Sequence, residues 1–131
     1  DEFLAEVEFF SIGTNDLTQY AMAADRMSSP LANLTDPWQP AVLALVKMAA
    51  DAGKRAGKPV GVCGEAAADP YLACILHGMG ITSLSMASSA VAAVGVQLQS
   101  VTSAQCADAA EKVLACKTAA ETKALAAELL S

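Results

Sequence analysis

A chain of 131 residues is long enough for one domain with its own core. With 54% apolar and 17% charged residues it is not intrinsically disordered, and with 5% aromatics and abundant alanine it favours packed helices over an all-β sandwich. The net charge of −6 comes with no run of Lys or Arg, which excludes nucleic acid as a partner, and no apolar stretch is long enough for membrane insertion.

Val7–Ile12 is a short apolar run ending at Gly13, the pattern of a buried strand. Thr14-Asn15-Asp16 follows as a cluster of cap-type residues, and Leu17–Ala24 has helical character. Residues 27–40 hold three prolines and read as an ordered surface loop pinned by Leu34 and Trp38. Apolar residues at helical spacing then predict a helix over Ala41–Ala56, closed by Gly57.

Val60–Cys63 reads as a second buried strand, followed by a polar turn at Gly64-Glu65. Asp69-Pro70 has the form of an N-cap and first-turn proline for a helix over Tyr71–His77, which Gly78-Met79-Gly80 closes. Ile81–Met86 is the third strand, with Ser88 and Ser89 as caps for a helix through Gln97. Two more helices are expected over Ala104–Ala115 and Ala119–Leu130. Strands alternating with helices predict an α/β fold with a parallel sheet and right-handed crossovers.

Such folds collect active groups at the C-terminal strand ends. At the first, Gly13 allows a sharp turn, backbone amides and Asn15 can face an anion, and Asp16 is a hard ligand suited to Mg²⁺. The alternative is an ordinary helix cap by Thr14 or Asp16, which spacing alone favours. At the second, Cys63 stands among glycines with Glu65 close behind. A thiol titrating near 8.5 can donate a proton to a carbanion at neutral pH. The alternative is a small buried hydrophobe, the role expected of Cys74, Cys106 and Cys116 inside helical stretches. None of the four cysteines forms a C-x-x-C pair, and a single histidine cannot complete a zinc cluster, so free thiols in a reducing cytoplasm are expected. Arg26 alone reads as a surface arginine and His77 as a helix-end residue.

Four segments carry a family resemblance: F-F-S-I-G-T-N-D-L-T-Q-Y (Phe9–Tyr20), A-D-R (Ala24–Arg26), G-V-C-G-E-A-A-A-D-P (Gly61–Pro70) and L-S-M (Leu84–Met86). In order and type they resemble the phosphoenolpyruvate-binding domain of Enzyme I of the bacterial sugar phosphotransferase system, a phosphoenolpyruvate-utilising enzyme. The resemblance implies the C-terminal part of a (β/α)8 TIM barrel, about three β-α units plus extra C-terminal helices, filling residues 1–131. It implies that Asn15 contacts phosphoenolpyruvate, Asp16 ligates Mg²⁺, Arg26 grips phosphate oxygens, and Cys63 protonates enolpyruvate at C3. The phosphoryl group would pass through a histidine on an absent domain to the carrier protein HPr, and the domain would form a homodimer.

The resemblance also implies a second metal carboxylate and further substrate arginines on earlier strands, and these have no counterpart here. Ala87-Ser88-Ser89 stands where relatives often carry a proline. The chain begins at Asp1 instead of Met and is expected to be a piece of a longer protein, inactive alone. Two other expectations are a non-catalytic half-barrel for dimerisation or metabolite binding, and a piece of a pyruvate phosphate dikinase or phosphoenolpyruvate synthase relative.

Overall fold

The alternation of short apolar runs with helical segments produces a mixed α/β fold around a small parallel sheet. The computed structural model describes residues 1–131. In chain order the elements are α1 (Glu2–Glu6), β1 (Phe10–Gly13), α2 (Thr14–Met22), a 3-10 turn (Ser29–Leu31), α3 (Pro40–Ala56), β2 (Val60–Cys63), α4 (Glu65–Ala68), α5 (Pro70–Met79), β3 (Ser83–Ser85), α6 (Ser88–Gln99), α7 (Ser103–Val113) and α8 (Ala119–Leu130). The strands lie in the order β1-β2-β3, all parallel. No helix is long and apolar enough to cross a membrane.

Strand alternation gives the sheet two unlike faces. Val60 and Val62 are fully buried, and Phe10, Ile12 and Leu84 pack against the same core. The opposite face carries Ser11, Gly13, Gly61, Cys63, Ser83 and Ser85 in facing registers. Its four end-strand residues are exposed.

Helix α5 forms the centre of the helical layer. Its residues Leu72–Leu76 are all fully buried, and it packs on α3, α4, α6, α7 and α8. A helix that is apolar all round is stable only in such a position. Its contact with α7 is close because Gly78 has no side chain: a Cβ there would lie 2.0 Å from the Cys106 carbonyl oxygen. Gly78 therefore lies inside α5, and the helix ends at Gly80 in the left-handed conformation.

Several expected boundaries move. The first strand begins at Phe10, because Val7 instead ends the short helix α1. The Lys58 ammonium donates to the carbonyls of Leu4 and Val7 and closes that helix. The third strand contracts to Ser83–Ser85, since the Ile81 amide is still tied to Leu76 of the preceding helix. Trp38 is buried and pins the 27–40 loop, whereas Leu34 is exposed. Ser88 and Ser89 do not cap α6: they lie in its first turn, and Ala87 precedes it. Cys116 lies between α7 and α8, half-buried, not within a helix.

Candidate functional site

The C-terminal tips of the three strands are tied together, β1 to β2 by side chains and β2 to β3 through the backbone. Gly13 pairs with Cys63 across the β1–β2 ladder, and Cys63 with Ser85 across β2–β3. Thr14, buried at the start of α2, donates from Oγ1 to the Cys63 carbonyl at 3.0 Å. Asn15 Oδ1 accepts the Glu65 backbone N–H at 3.2 Å, and the Gly64 N–H donates to the Ser85 carbonyl at 3.3 Å.

Gly64 is indispensable to this junction. Its φ of 112° is a glycine conformation. A Cβ there would also lie 2.9 Å from Asn15 Oδ1 and 3.1 Å from Thr14 Oγ1.

Neither Thr14 nor Asp16 caps α2. Gly13 is its N-cap, without a side-chain hydrogen bond. The helix starts at Thr14, one step from the strand, so Asn15 and Asp16 fall in its first turn. Thr14 spends its hydroxyl on β2 instead. Thr14 and Gly64 are functional supports that local sequence does not reveal, because their partners lie about fifty positions away. The signal available was the pairing of two strand-end glycines with polar residues behind each.

A cavity of 410 Å³ opens beside this junction, lined by Asn15, Thr18, Arg26, Met27, Thr35, Pro37 and Glu65. A second, of 450 Å³, shares Asn15 and Glu65 and continues past Gly64 to Ser85, Met86 and Ala87. Asn15 and Glu65 thus stand between two adjoining clefts over the strand tips. Arg26 is exposed at the rim and belongs to none of the chain's three ion pairs. Pro37, in the lining of the first cleft, precedes the buried Trp38, whose indole Nε1 donates to Asp69 Oδ2 at 3.0 Å.

Cys63 lies just beneath, on the open polar sheet face. It is half-buried, and its Sγ lies 3.6 Å from the Ile12 carbonyl. The sulfur does not line either cleft, yet it is outside the apolar core. Cys74 and Cys106, by contrast, are sealed between α5 and α7. Burial, then the neighbouring Cys106 thiol, pushes the Cys74 thiol up to about 12, and burial raises Cys106 as well. All four cysteines are free. His77 is exposed and joins α5 to α7 through Ser103 Oγ at 3.1 Å, a helix-end role.

Asp16 is exposed, and its only side-chain partner is the Gln19 amide, Nε2 to Oδ1 at 3.4 Å. No three His, Cys, Asp or Glu side chains cluster anywhere in the chain. Asp16 lines neither cleft, and the carboxylate that does is Glu65; each stands as a lone hard carboxylate. That fits a divalent cation that keeps several waters and takes one or two protein carboxylates beside substrate oxygens. It does not make a cage on its own.

A family model described as PEP-utilising enzyme, PEP-binding domain, matches residues 1–103. The chain is 52% identical over 128 residues to a phosphoenolpyruvate-protein phosphotransferase of Streptomyces coelicolor, covering 98% of this chain and 23% of that protein. It is 40% identical over 128 residues to the protein of the same name in Bacillus subtilis, 98% of this chain and 22% of the relative. It is also 47% identical over 124 residues to a multiphosphoryl transfer protein of Rhodobacter capsulatus, 95% of this chain and 15% of the relative. The chain thus spans less than a quarter of the length of these relatives.

Proposed function

Because the chain belongs to the PEP-binding domain family of PEP-utilising enzymes, we propose that it forms part of the substrate site of a phosphoenolpyruvate-protein phosphotransferase. The observation that carries this reading is the convergence of the β1 and β2 tips, tied by Thr14 to Cys63 and by Asn15 to Glu65, beside a cavity that Asn15 and Arg26 share.

In this reading the Asn15 amide and the Arg26 guanidinium bind and orient the phosphate and carboxylate of phosphoenolpyruvate, the guanidinium as a two-pronged donor. Asp16 would hold Mg²⁺, whose charge, when bound, neutralises the phosphoryl oxygens. The P–O bond breaks as the phosphoryl group passes to a histidine on another part of the protein, leaving the enolate of pyruvate. Cys63 then gives its thiol proton to C3, and the thiolate recovers a proton from water. A thiol proton held at a strand tip, outside the apolar core, can serve as that acid. Rotation of Sγ away from the Ile12 carbonyl would release the proton.

HPr as the downstream acceptor, self-association as a homodimer, a cytoplasmic setting in keeping with four free thiols, and closure of the sheet into a (β/α)8 barrel belong to the same reading. The polar sheet face supports the barrel: Ser11, Gly61, Cys63 and Ser83 are small enough to face a shared interior.

The test is made in the full-length enzyme that carries this chain. Asp16→Ala and Arg26→Ala are expected to lower phosphoenolpyruvate-dependent histidine phosphorylation by about 10²-fold or more, the usual cost of removing a charge-stabilising group. Cys63→Ala is expected to slow pyruvate release more than histidine phosphorylation. Equal slowing of the two steps removes the proton-donor role, and full activity in Arg26→Ala removes the reading.

A further inference from the structure

Gln19 sits one turn along α2 from Asp16, and both ends of its side-chain amide are engaged. Nε2 donates to Asp16 Oδ1 at 3.4 Å. Oε1 accepts the backbone N–H of Arg26 at 3.1 Å. Its own carbonyl accepts the Ala24 N–H at 3.0 Å. The i,i+3 spacing puts Gln19 and Asp16 on one helix face. An amide can donate from one end and accept at the other. Here the donor meets a carboxylate, which only accepts, and the acceptor meets an N–H, which only donates. The reversed orientation would set N–H against N–H and oxygen against a carboxylate oxygen, so the network allows one arrangement.

The loop that delivers Arg26 needs this support. Ala23 ends α2 at φ 50° and ψ 41° and is the only non-glycine residue with positive φ. That conformation is disfavoured for an L-residue. The turn sends the chain back along α2, and the next fixed point is the Arg26 N–H on Gln19. Asp25 Oδ1 then accepts the Met27 N–H at 2.8 Å and tightens the bend.

The geometry points to Gln19 as a positioning residue of the phosphoenolpyruvate site: one side-chain amide locks the metal-ligand carboxylate of Asp16 and the backbone of Arg26 into a single unit. This rests on the preceding reading of Asp16 and Arg26. Of the three, only Arg26 lines the cavity, so Gln19 acts through the residues it holds.

Mn²⁺ and phosphoenolpyruvate are the probes, in the full-length enzyme that carries this chain. Mn²⁺ binding in the presence of phosphoenolpyruvate is read by electron paramagnetic resonance, and phosphoenolpyruvate binding by calorimetry. Gln19→Ala breaks both links and is expected to weaken both constants by roughly three- to tenfold. Gln19→Glu still accepts from the Arg26 N–H but cannot donate to Asp16. It is expected to recover the phosphoenolpyruvate constant to within about twofold while the Mn²⁺ constant stays displaced. This split keeps the test decisive if Gln19→Ala folds poorly. A change in melting temperature with both constants within twofold of the unaltered enzyme, in both variants, overturns the positioning role. Failure of the unaltered enzyme to bind phosphoenolpyruvate and Mn²⁺ together is a different result: it removes the functional reading, and the inference with it.

Discussion

Asp69 divides its two carboxylate oxygens between two elements. Oδ1 accepts the N–H groups of Tyr71 and Leu72 at 3.0 and 3.2 Å and caps α5. Oδ2 accepts the buried Trp38 indole N–H at 3.0 Å. The first contact is a local N-cap, legible in the Asp-Pro pair; the second is not, since it crosses 31 positions. Asp69→Ala removes the cap and strands a buried donor, for a combined cost of about 2–4 kcal/mol. Urea denaturation measures this, and a loss under 1 kcal/mol would mean that the indole finds another acceptor. The same contrast governs the site. Asn15, Asp16 and Cys63 stood out because their chemistry falls at strand ends, whereas Arg26, in the loop after α2, read alone as a surface arginine and stood out only through the A-D-R segment of the resemblance. Thr14 looked like a cap because a cap is its local option, and only strand pairing brings the Cys63 carbonyl within reach of its hydroxyl.

The buried thiols make a residue-scale prediction about pH. Cys74 is raised from an ordinary value of 9.0 to about 12, chiefly by burial. The folded chain therefore keeps a proton that the unfolded chain releases above pH 9.0. This contribution to stability is complete below that pH and is lost progressively as pH rises toward about 12. Unfolding midpoints measured between neutral and alkaline pH are expected to fall more steeply in the unaltered chain than in a Cys74→Ala/Cys106→Ala variant. Because the thiolate is the reactive form, native alkylation is expected at Cys63 and Cys116 while Cys74 and Cys106 resist until the chain is unfolded. Rapid native labelling of Cys74 would show that the α5–α7 seam opens readily.

At the scale of elements, the long helices were readable and the short ones were not. A helix such as α3 repeats its apolar stripe over 17 residues, whereas α1 has 5 and α4 has 4, too few to display a period. Strand ends were overextended for a related reason: an apolar run records burial, and burial continues past the last ladder hydrogen bond. Ile81 is buried yet lies outside β3. Close helix contact was also hidden, because Gly78 reads locally as a helix terminator. Its true constraint is the α7 backbone, with a built Cβ 2.0 Å from Cys106 oxygen and 2.4 Å from its carbonyl carbon. Backbone cannot yield as a flexible side chain does, so Gly78→Ala must push α7 away. The expected loss is about 3 kcal/mol or more, at the upper end for overpacking. A thermal melt near that of the unaltered chain would show that α7 shifts freely on α5.

For the molecule as a whole, the parallel α/β organisation followed from the alternation of strands and helices, and the strand order matches the chain order. What the alternation does not reveal is how unequal the strands are. β2 is paired on both sides, while β1 and β3 each have a free edge. The Phe10 N–H donates inward to the Pro59 carbonyl, and the Thr82 N–H donates inward to the Val60 carbonyl. Along a strand successive N–H groups point to opposite sides, so those of Ser11 and Ser83 point outward, away from β2. Amide hydrogen exchange in the 131-residue chain is therefore expected to be fast at Ser11 and Ser83, and slower by roughly tenfold or more at Ile12, Val62 and Leu84. Raising the protein concentration adds a second discrimination, because an edge that pairs with another copy gains protection as copies associate. Protection at Ser11 or Ser83 that rises with concentration would show the open edges pairing between chains. Protection already equal to that of Ile12 and Leu84 at high dilution would show that these edges are covered within one chain, contrary to the sheet described here.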